Sequence, residues 1–431
     1  MIKKLVQTAI IGGALLGMTA GASADTININ IYGASAQYDF WTNAAGDFLT
    51  DQGCSGTVYT AVDADDKHGI AKCDDLNGDT VYIRYSSKAS FDGIRSVQGL
   101  DPDGDSGSCA DNEREMANEA DTNWTTGEVN SLSCEDVTIG ASDVAAATFQ
   151  QESHGLELGP KVDDENLWED RSIYNITMDS NYNVFRPIVV PFAFFRNANS
   201  STPVPYDNMS RLMATALFSG QVTDWNEFDP SKSSLPVVIC MRHAGSGTHA
   251  TLDAAVMRGD YTLMNTEALP GSFPVTMGLQ PVTYFNDGSS DMARCIGGAG
   301  TRSGYETYTG VGAVGYADSD KVKMSDGTLP APNNIAGEYH DLAGYGDLKL
   351  MTWQGESAVK INIVNGKYDF WSAQWLYTSP SEPDAVNDLV DALVAYASVP
   401  ANLPPSKAAY WATQNEMKVE KATDFTYPKF K

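Results

Sequence analysis

Positive charge is scarce in this sequence. Its 431 residues carry 28 Lys and Arg against 56 Asp and Glu, a formal net charge of −28. Gripping a phosphodiester backbone takes a basic face, so nucleic acid is excluded as a partner. A small anion is not excluded, because backbone N–H groups at a helix start and one Arg can make a local anion site on an acidic protein. Long apolar runs are missing beyond the first 24 residues, so no later segment is expected to be membrane-embedded. There is no C-x-x-C and no Cys/His cluster at zinc spacing, and without C-x-x-C-H covalent haem is ruled out. The nucleotide-binding signature G-x-x-x-x-G-K-S/T is also absent. No metal or cofactor is expected on these grounds.

What is present suits a globular chain with a large core. Hydrophobic residues make up 42% and charged residues 19%, and the length allows two domains. The chain opens with Met1-Ile2-Lys3-Lys4, an apolar stretch from Leu5 to Met18, and Ala22-Ser23-Ala24. That is the pattern of a secretory signal peptide cut after Ala24. No Cys follows the cut, so nothing points to a lipid anchor. In an exported protein six cysteines read as three disulfides. Six permit fifteen connectivities; proximity favours Cys54–Cys73, Cys109–Cys134 and Cys240–Cys295.

Strand and helix signals alternate. Thr26–Ile31 alternates with period two and reads as a strand, followed by the small-residue turn Gly33-Ala34-Ser35-Ala36. Tyr38, Trp41, Ala45 and Phe48 then recur at helical spacing up to Gly53. Val81–Tyr85 reads as a strand, with Ser86–Ser90 and a helix from about Gly93 after it. Val137–Ile139 reads as a strand ending in Gly140-Ala141-Ser142-Asp143. Met209–Leu217 is an amphipathic helix closed by Gly220, and Val237–Cys240 is a buried strand. Val386, Leu389, Val390, Leu393 and Val394 trace a last helix face. This rhythm implies an α/β fold with mostly parallel sheets and helices on both faces.

Two stretches interrupt it. Residues 51–79 and 96–134 are rich in Asp, Gly, Asn and Ser, and each holds a candidate disulfide. Both run from a helix end to the next strand, so they are expected at the sheet end opposite a ligand crevice, as surface insertions. Asp101, Asp103 and Asp105, or Asp75, Asn77 and Asp79, could ligate calcium. Neither set has the Glu an EF-hand loop needs at its twelfth position, and the alternative is a solvated acidic loop.

The segment with most chemistry follows the strand at Val237–Cys240: Arg242-His243-Ala244-Gly245-Ser246-Gly247-Thr248. First-turn N–H groups lack partners within a helix and sit at the positive end of its dipole. Ser246 or Thr248 can cap the helix, Gly247 lets a ligand come close, and Arg242 can chelate two oxygens of a tetrahedral anion. An ordinary N-cap with a surface Arg reads equally well. Ala244 stands where the nucleophile elbow G-x-S-x-G wants its first Gly. A Ser246–His243 or Ser246–His249 pair lacks an identifiable orienting carboxylate.

As a set, Ser35-Ala36, Ser90, Asp143 and Arg242 with Ser246–Thr248 each sit just past a strand, where such sheets bind ligands. In this order the chain resembles the periplasmic phosphate-binding proteins of bacterial ABC transporters. They too have a small-residue turn after the first strand, a serine turn before a helix, Ala-Ser-Asp after the next strand, and Arg-x-x-Gly-Ser-Gly-Thr. Leu217-Phe218-Ser219-Gly220-Gln221-Val222-Thr223-Asp224-Trp225-Asn226 is similar to the family's stretch upstream of that motif, and Val311–Tyr316 to its return strand.

The resemblance implies a type II periplasmic binding fold with two lobes and a ligand cleft between them. Residues 25–190 and 340–431 would form lobe I, and 191–339 lobe II. Crossings are expected near Pro187–Phe195 and Ala317–Tyr345. It further implies a periplasmic binding protein, not an enzyme, that delivers inorganic phosphate or a related oxyanion to an ABC transporter permease. Ser35, Ala36, Ser90, Ser246, Gly247 and Thr248 would bind the anion, Arg242 would pair with it, and Asp143 would accept its proton. Sulfate has no proton to offer, so Asp143 favours phosphate or arsenate. The chain departs from the family at Ala36, at Phe91-Asp92 after Ser90, and at His243-Ala244 after Arg242. Two other functions fit the scaffold: a secreted phosphohydrolase, and an extracellular interaction protein that uses its acidic insertions.

Overall fold

The computed structural model describes residues 25–64, 67–100, 108–150, 176, 178, 180–199, 201–242, 245–258, 281–286, 288–302, 306–308, 310–321, 338–342 and 344–431. The signal peptide, Asp101, Asp103, Asp105 and the pair His243-Ala244 lie outside the described residues.

The chain is α/β, organised on two large sheets. The first runs Asn183–Phe185, Trp375–Thr378, Ile139–Ser142, Thr26–Ala34, Asp79–Lys88, His68–Leu76, Val58–Val62, Glu128–Val129, Thr122–Asn123. Its centre is parallel: Thr26–Ala34 pairs in that sense with Asp79–Lys88 on one side and Ile139–Ser142 on the other. Ala34 lies opposite Lys88, so the two strands end level. Antiparallel neighbours flank this centre.

The helix after the first strand, Tyr38–Asp51, buries Phe40, Trp41, Ala44, Ala45, Phe48 and Leu49. The next helix is Ser90–Val97, starting at the serine three residues before the expected Gly93. Its seat is set by absent side chains. A Cβ on Gly93 would lie 2.8 Å from the Tyr32 carbonyl oxygen and 2.9 Å from Gly33 Cα. It would be closer still to the Ala141 carbonyl oxygen, so the helix rests directly on Thr26–Ala34 and Ile139–Ser142, with its first residue fixed near their ends.

The second sheet runs Val282–Asn286, Val238–Arg242, Ala313–Asp318, Ile188–Asn197, Gly346–Leu350, Glu338–Leu342. The first three strands are parallel and the rest antiparallel. Gly346–Leu350, which follows the expected return at 340, is a strand of this second sheet.

Ile188–Asn197 is buried along its whole length and changes partners midway. Ile188–Val190 pair with Ser372–Ala373 and Ala412–Thr413, whereas Phe192–Asn197 pair with Ala313–Asp318 and Gly346–Leu350. Pro191 stands at the change: it pairs with Trp371, brings no N–H of its own, and its carbonyl accepts from Ser319 N–H at 3.0 Å. Around it Phe194 packs on Phe218, Trp353 and Phe370 with ring centroids 5.1–5.8 Å apart.

The three disulfides are those proximity suggested. Cys240–Cys295 is wholly buried and ties Val238–Arg242 to the helix Ser289–Gly297.

The insertions are more structured than expected. Val58–Val62 and His68–Leu76 form an antiparallel pair that widens the first sheet. His68 lies opposite Ser86, so the near end of this pair reaches the sheet end where Ser90 follows, and does not stay at the far end. Glu113–Ala117 pairs with Leu132–Asp136, and the Ser86 hydroxyl donates to the Glu115 carbonyl. Asp75, Asn77 and Asp79 surround a turn. Asn77 and Gly78 take φ of 58° and 102°. Asp75 accepts from Gly78 N–H and the Ser55 hydroxyl, and Asp79 from Asp25 N–H. Asp75 thus caps the turn, and Asp79 holds the start of the first strand.

The last residues strap the molecule together. Asp424 accepts from Ala145 N–H at 2.8 Å and Thr148 Oγ1 at 2.7 Å. Next along the chain, Arg258 donates to the Phe425 carbonyl and lies 3.5 Å above the Tyr427 ring.

Candidate functional site

Parallel strands leave their C-terminal ends and the following helix starts on one edge of a sheet, so each edge gathers N–H donors and short side chains. Here the two edges meet. Ser90 begins a helix above the first sheet, and Asp143 follows the strand Ile139–Ser142. From the second sheet comes the helix Gly247–Thr251, which runs on as a π-helix over Leu252–Met257.

Gly247 lies against Ser90 and Asp143. A Cβ on it would stand 2.6 Å from Asp143 Cβ and 2.8 Å from Ser90 Cβ, and closer still to the Ser90 hydroxyl. Phe91 N–H donates to the Gly245 carbonyl at 3.1 Å, a direct link between the two edges. All of these residues are buried.

The hydroxyls are placed by what they accept. Ser90 Oγ accepts from Asp143 N–H at 2.9 Å, and Ser246 Oγ caps its helix by accepting from His249 N–H at 3.4 Å. Each keeps its own hydrogen to donate. Thr248 is buried beside Gly247, 1% exposed.

Arg242, also 1% exposed, ends its strand with Nε donating to the Asn286 carbonyl at 3.2 Å and Nη1 to Ser289 Oγ at 3.1 Å. The buried disulfide beneath holds that strand against the helix that carries Ser289. The guanidinium is thus aimed by fixed partners and acts electrostatically on Asp143.

Asp143 is strongly perturbed. Burial, then the nearby Asp318, push its carboxyl up to about 7, while Arg242, Gln374 and Ser90 pull the other way. Its Oδ1 has no hydrogen-bond partner among the described residues. A buried acceptor left open costs roughly 1–3 kcal/mol, more when charged, so the position favours a donor brought from outside.

Ser35 and Ala36 occupy the short 3₁₀ turn after the first strand, at the same edge but beside this cluster. Gln37 connects the turn to it by donating to the Ser142 carbonyl at 3.1 Å. Phe91 turns away, packing edge-on against Phe149 at 5.9 Å, and Asp92 is buried in the first turn of its helix. A carboxylate there is favoured by the helix dipole.

The Ser246–His249 pair is not an activated nucleophile. His249 Nδ1 meets the Tyr316 hydroxyl at 2.9 Å, and that hydroxyl accepts from Arg242 N–H at 3.1 Å. The direction of the His249–Tyr316 bond follows the imidazole tautomer, and burial, with Arg242 nearby, lowers the His249 pKa to about 3. The imidazole is a neutral prop for the Arg242 strand.

Three residues that sequence reasoning missed belong to this place. Asp318 ends the strand Ala313–Asp318, Ser319 follows it, and Gln374 lies between the short strands Trp371–Ala373 and Trp375–Thr378. Asp318 Oδ1, Ser319 Oγ and both polar atoms of the Gln374 amide are buried without hydrogen-bond partners among the described residues. The Tyr316-Ala317-Asp318-Ser319 step off a buried strand was the one available signal.

No protein-family model matches the chain. Among solved structures it is similar to an ABC-type phosphate transport receptor from Vibrio cholerae, 11% identical, with 85% of this chain and 93% of that chain covered and a TM-score of 0.43. It is similar also to a phosphate-binding protein from Stenotrophomonas maltophilia, 12% identical over 86% of this chain and 84% of that one, TM-score 0.43. A human phosphate binding apolipoprotein is 13% identical, with 85% of each chain covered and the same score.

Proposed function

We propose that this is an exported solute-binding protein that captures inorganic phosphate, or a similar tetrahedral oxyanion, between two lobes. It would deliver the anion to an ABC transporter permease after export under the leader ending at Ala24. The observation that carries the reading is the convergence of Ser90, Asp143 and Gly247 from two sheets on one buried place within the field of Arg242. Anion capture calls for such a set: hydroxyl donors, a helix start, one aimed guanidinium and one acceptor for the ligand's own proton. Ser35, Ala36, Ser246 and Thr248 would complete the shell as the lobes close on the anion. No nucleophile or metal cluster is needed, because capture makes and breaks no covalent bond.

The test is calorimetric titration of phosphate into protein that has been unfolded, stripped and refolded, with sulfate as the comparison. Binding of phosphate in the micromolar range or tighter, with sulfate far weaker, is expected. Absence of heat with phosphate refutes the reading.

A further inference from the structure

The crevice holds more acceptors than one phosphate proton can satisfy. Asp143 and Asp318 are 2% and 9% exposed, and each has an Oδ1 without a hydrogen-bond partner among the described residues. They come from different sheets; Asp318 and Arg242 end neighbouring parallel strands, and Arg242 acts electrostatically on both carboxyl groups. Asp320 and Lys321 lie beside Asp318 on its own segment, and Lys407 approaches from the C-terminal region. Lys407 is already engaged, ion-paired to Asp320 and to Asp39 at 2.7 Å, and Asp320 accepts further from Trp411 Nε1 at 3.0 Å. Arg242 donates to Asn286 and Ser289. Tyr85 and Gln374 complete the groups around Asp143. One guanidinium thus acts on two buried carboxyl groups.

Resting on the phosphate reading above, we infer that Asp318 is a second proton acceptor of the crevice, so that the bound anion and the two carboxyl groups together hold two protons. Two buried acceptors sharing one crevice with an anion repel unless hydrogens lie between them, and each hydrogen satisfies one open oxygen. The dianion of phosphate brings one hydrogen, which suffices for Asp143 alone. The second comes from solvent at alkaline pH, or arrives with the ligand as the dihydrogen monoanion in mild acid. Asp318 would make the site a receptor for the proton-rich form, tightest on the acid side of neutrality.

Proton counting decides this. Inorganic phosphate is titrated calorimetrically at about pH 8 in buffers of contrasting ionisation enthalpy, where one linked proton also means about tenfold weaker binding per pH unit. The wild-type chain is expected to take up about one proton per phosphate, and Asp318→Asn distinctly fewer, with a flatter pH profile. Asp318→Glu, which keeps the acid, is expected to retain the uptake. Phosphate binding by the wild type with no net proton uptake overturns the inference and leaves the phosphate reading standing. Failure to bind phosphate in mild acid as well as at about pH 8 removes the phosphate reading itself.

Discussion

Gly247→Ala is the sharpest single perturbation of the proposed closure. Gly247 has no positive φ, so alanine introduces no backbone strain, and the whole effect is the added methyl group. That methyl would sit 2.6 Å from Asp143 Cβ and 2.8 Å from Ser90 Cβ, far inside van der Waals contact. Neither neighbour can yield easily. Ser90 is pinned by Asp143 N–H, and the helix it begins lies on glycine-lined strands with no slack. The two edges must separate instead. Overpacking of this kind costs about 1–3 kcal/mol, which lowers the closed-to-open ratio by roughly 5- to 150-fold. Phosphate affinity measured by calorimetry is expected to fall by a similar factor, because a ligand that needs the closed form is bound in proportion to its population. Small-angle scattering of the empty protein should show a larger radius of gyration for the variant. The lobes' own cores are untouched, so far-UV circular dichroism should not change. A variant with wild-type affinity and wild-type dimensions would refute closure at Gly247.

Other perturbations test separate parts of the argument. Replacing Cys240 and Cys295 by Ala opens a link of sequence separation 55, against 19 for Cys54–Cys73. Chain entropy then predicts losses of about 4 and about 3 kcal/mol respectively, read from denaturant midpoints; the reverse ranking would show that loop size is not what matters. Asp143→Asn is expected to raise sulfate affinity relative to phosphate, and an unchanged ratio would remove Asp143 as the proton reader. The same variant alters the pH dependence of stability. The Asp143 pKa is raised in the folded chain to about 7, so the native state holds a proton that the unfolded state releases. Its contribution is full below the unfolded value near 4 and lost as pH rises toward 7, so wild-type melting temperature should decline across that window more steeply than the variant's.

Much of the site was legible because strand ends can be read from sequence. Thr26–Ile31 alternates, and its small-residue turn and the helix at Tyr38 follow as expected, so Ser35, Ser90, Asp143 and Arg242 could be placed on one kind of edge. Less was legible where pairing over long distances decides. Asn77-Gly78 is a strong hairpin signal, and Val58-Tyr59-Thr60-Ala61-Val62 is rich in β-formers. Yet the surrounding aspartates drew the reading toward a solvated acidic loop, with a cation loop as the other choice. The strand at Ile139 was read as ending in Gly140-Ala141-Ser142, but those residues are inside it, held in the sheet by neighbours more than a hundred residues away. Asp318 and Gln374 show the same limit. Each borders a short strand whose direction depends on partners distant in sequence, and an Asp at a strand end carries no mark of whether it faces solvent or a buried guanidinium.

The order of strands in the first sheet also bears on how the molecule comes into being. Trp375–Thr378 is inserted between Ile139–Ser142 and Asn183–Phe185, and Ala412–Thr413 closes against Ile188–Val189. A ribosome that has made the first 200 residues has therefore made a sheet with an open slot, one strand wide, which only the last quarter of the chain can fill. Loop closure over such distances is slow, and until it happens the slot edges are exposed. A chain built this way cannot complete its first sheet until its last quarter has been made.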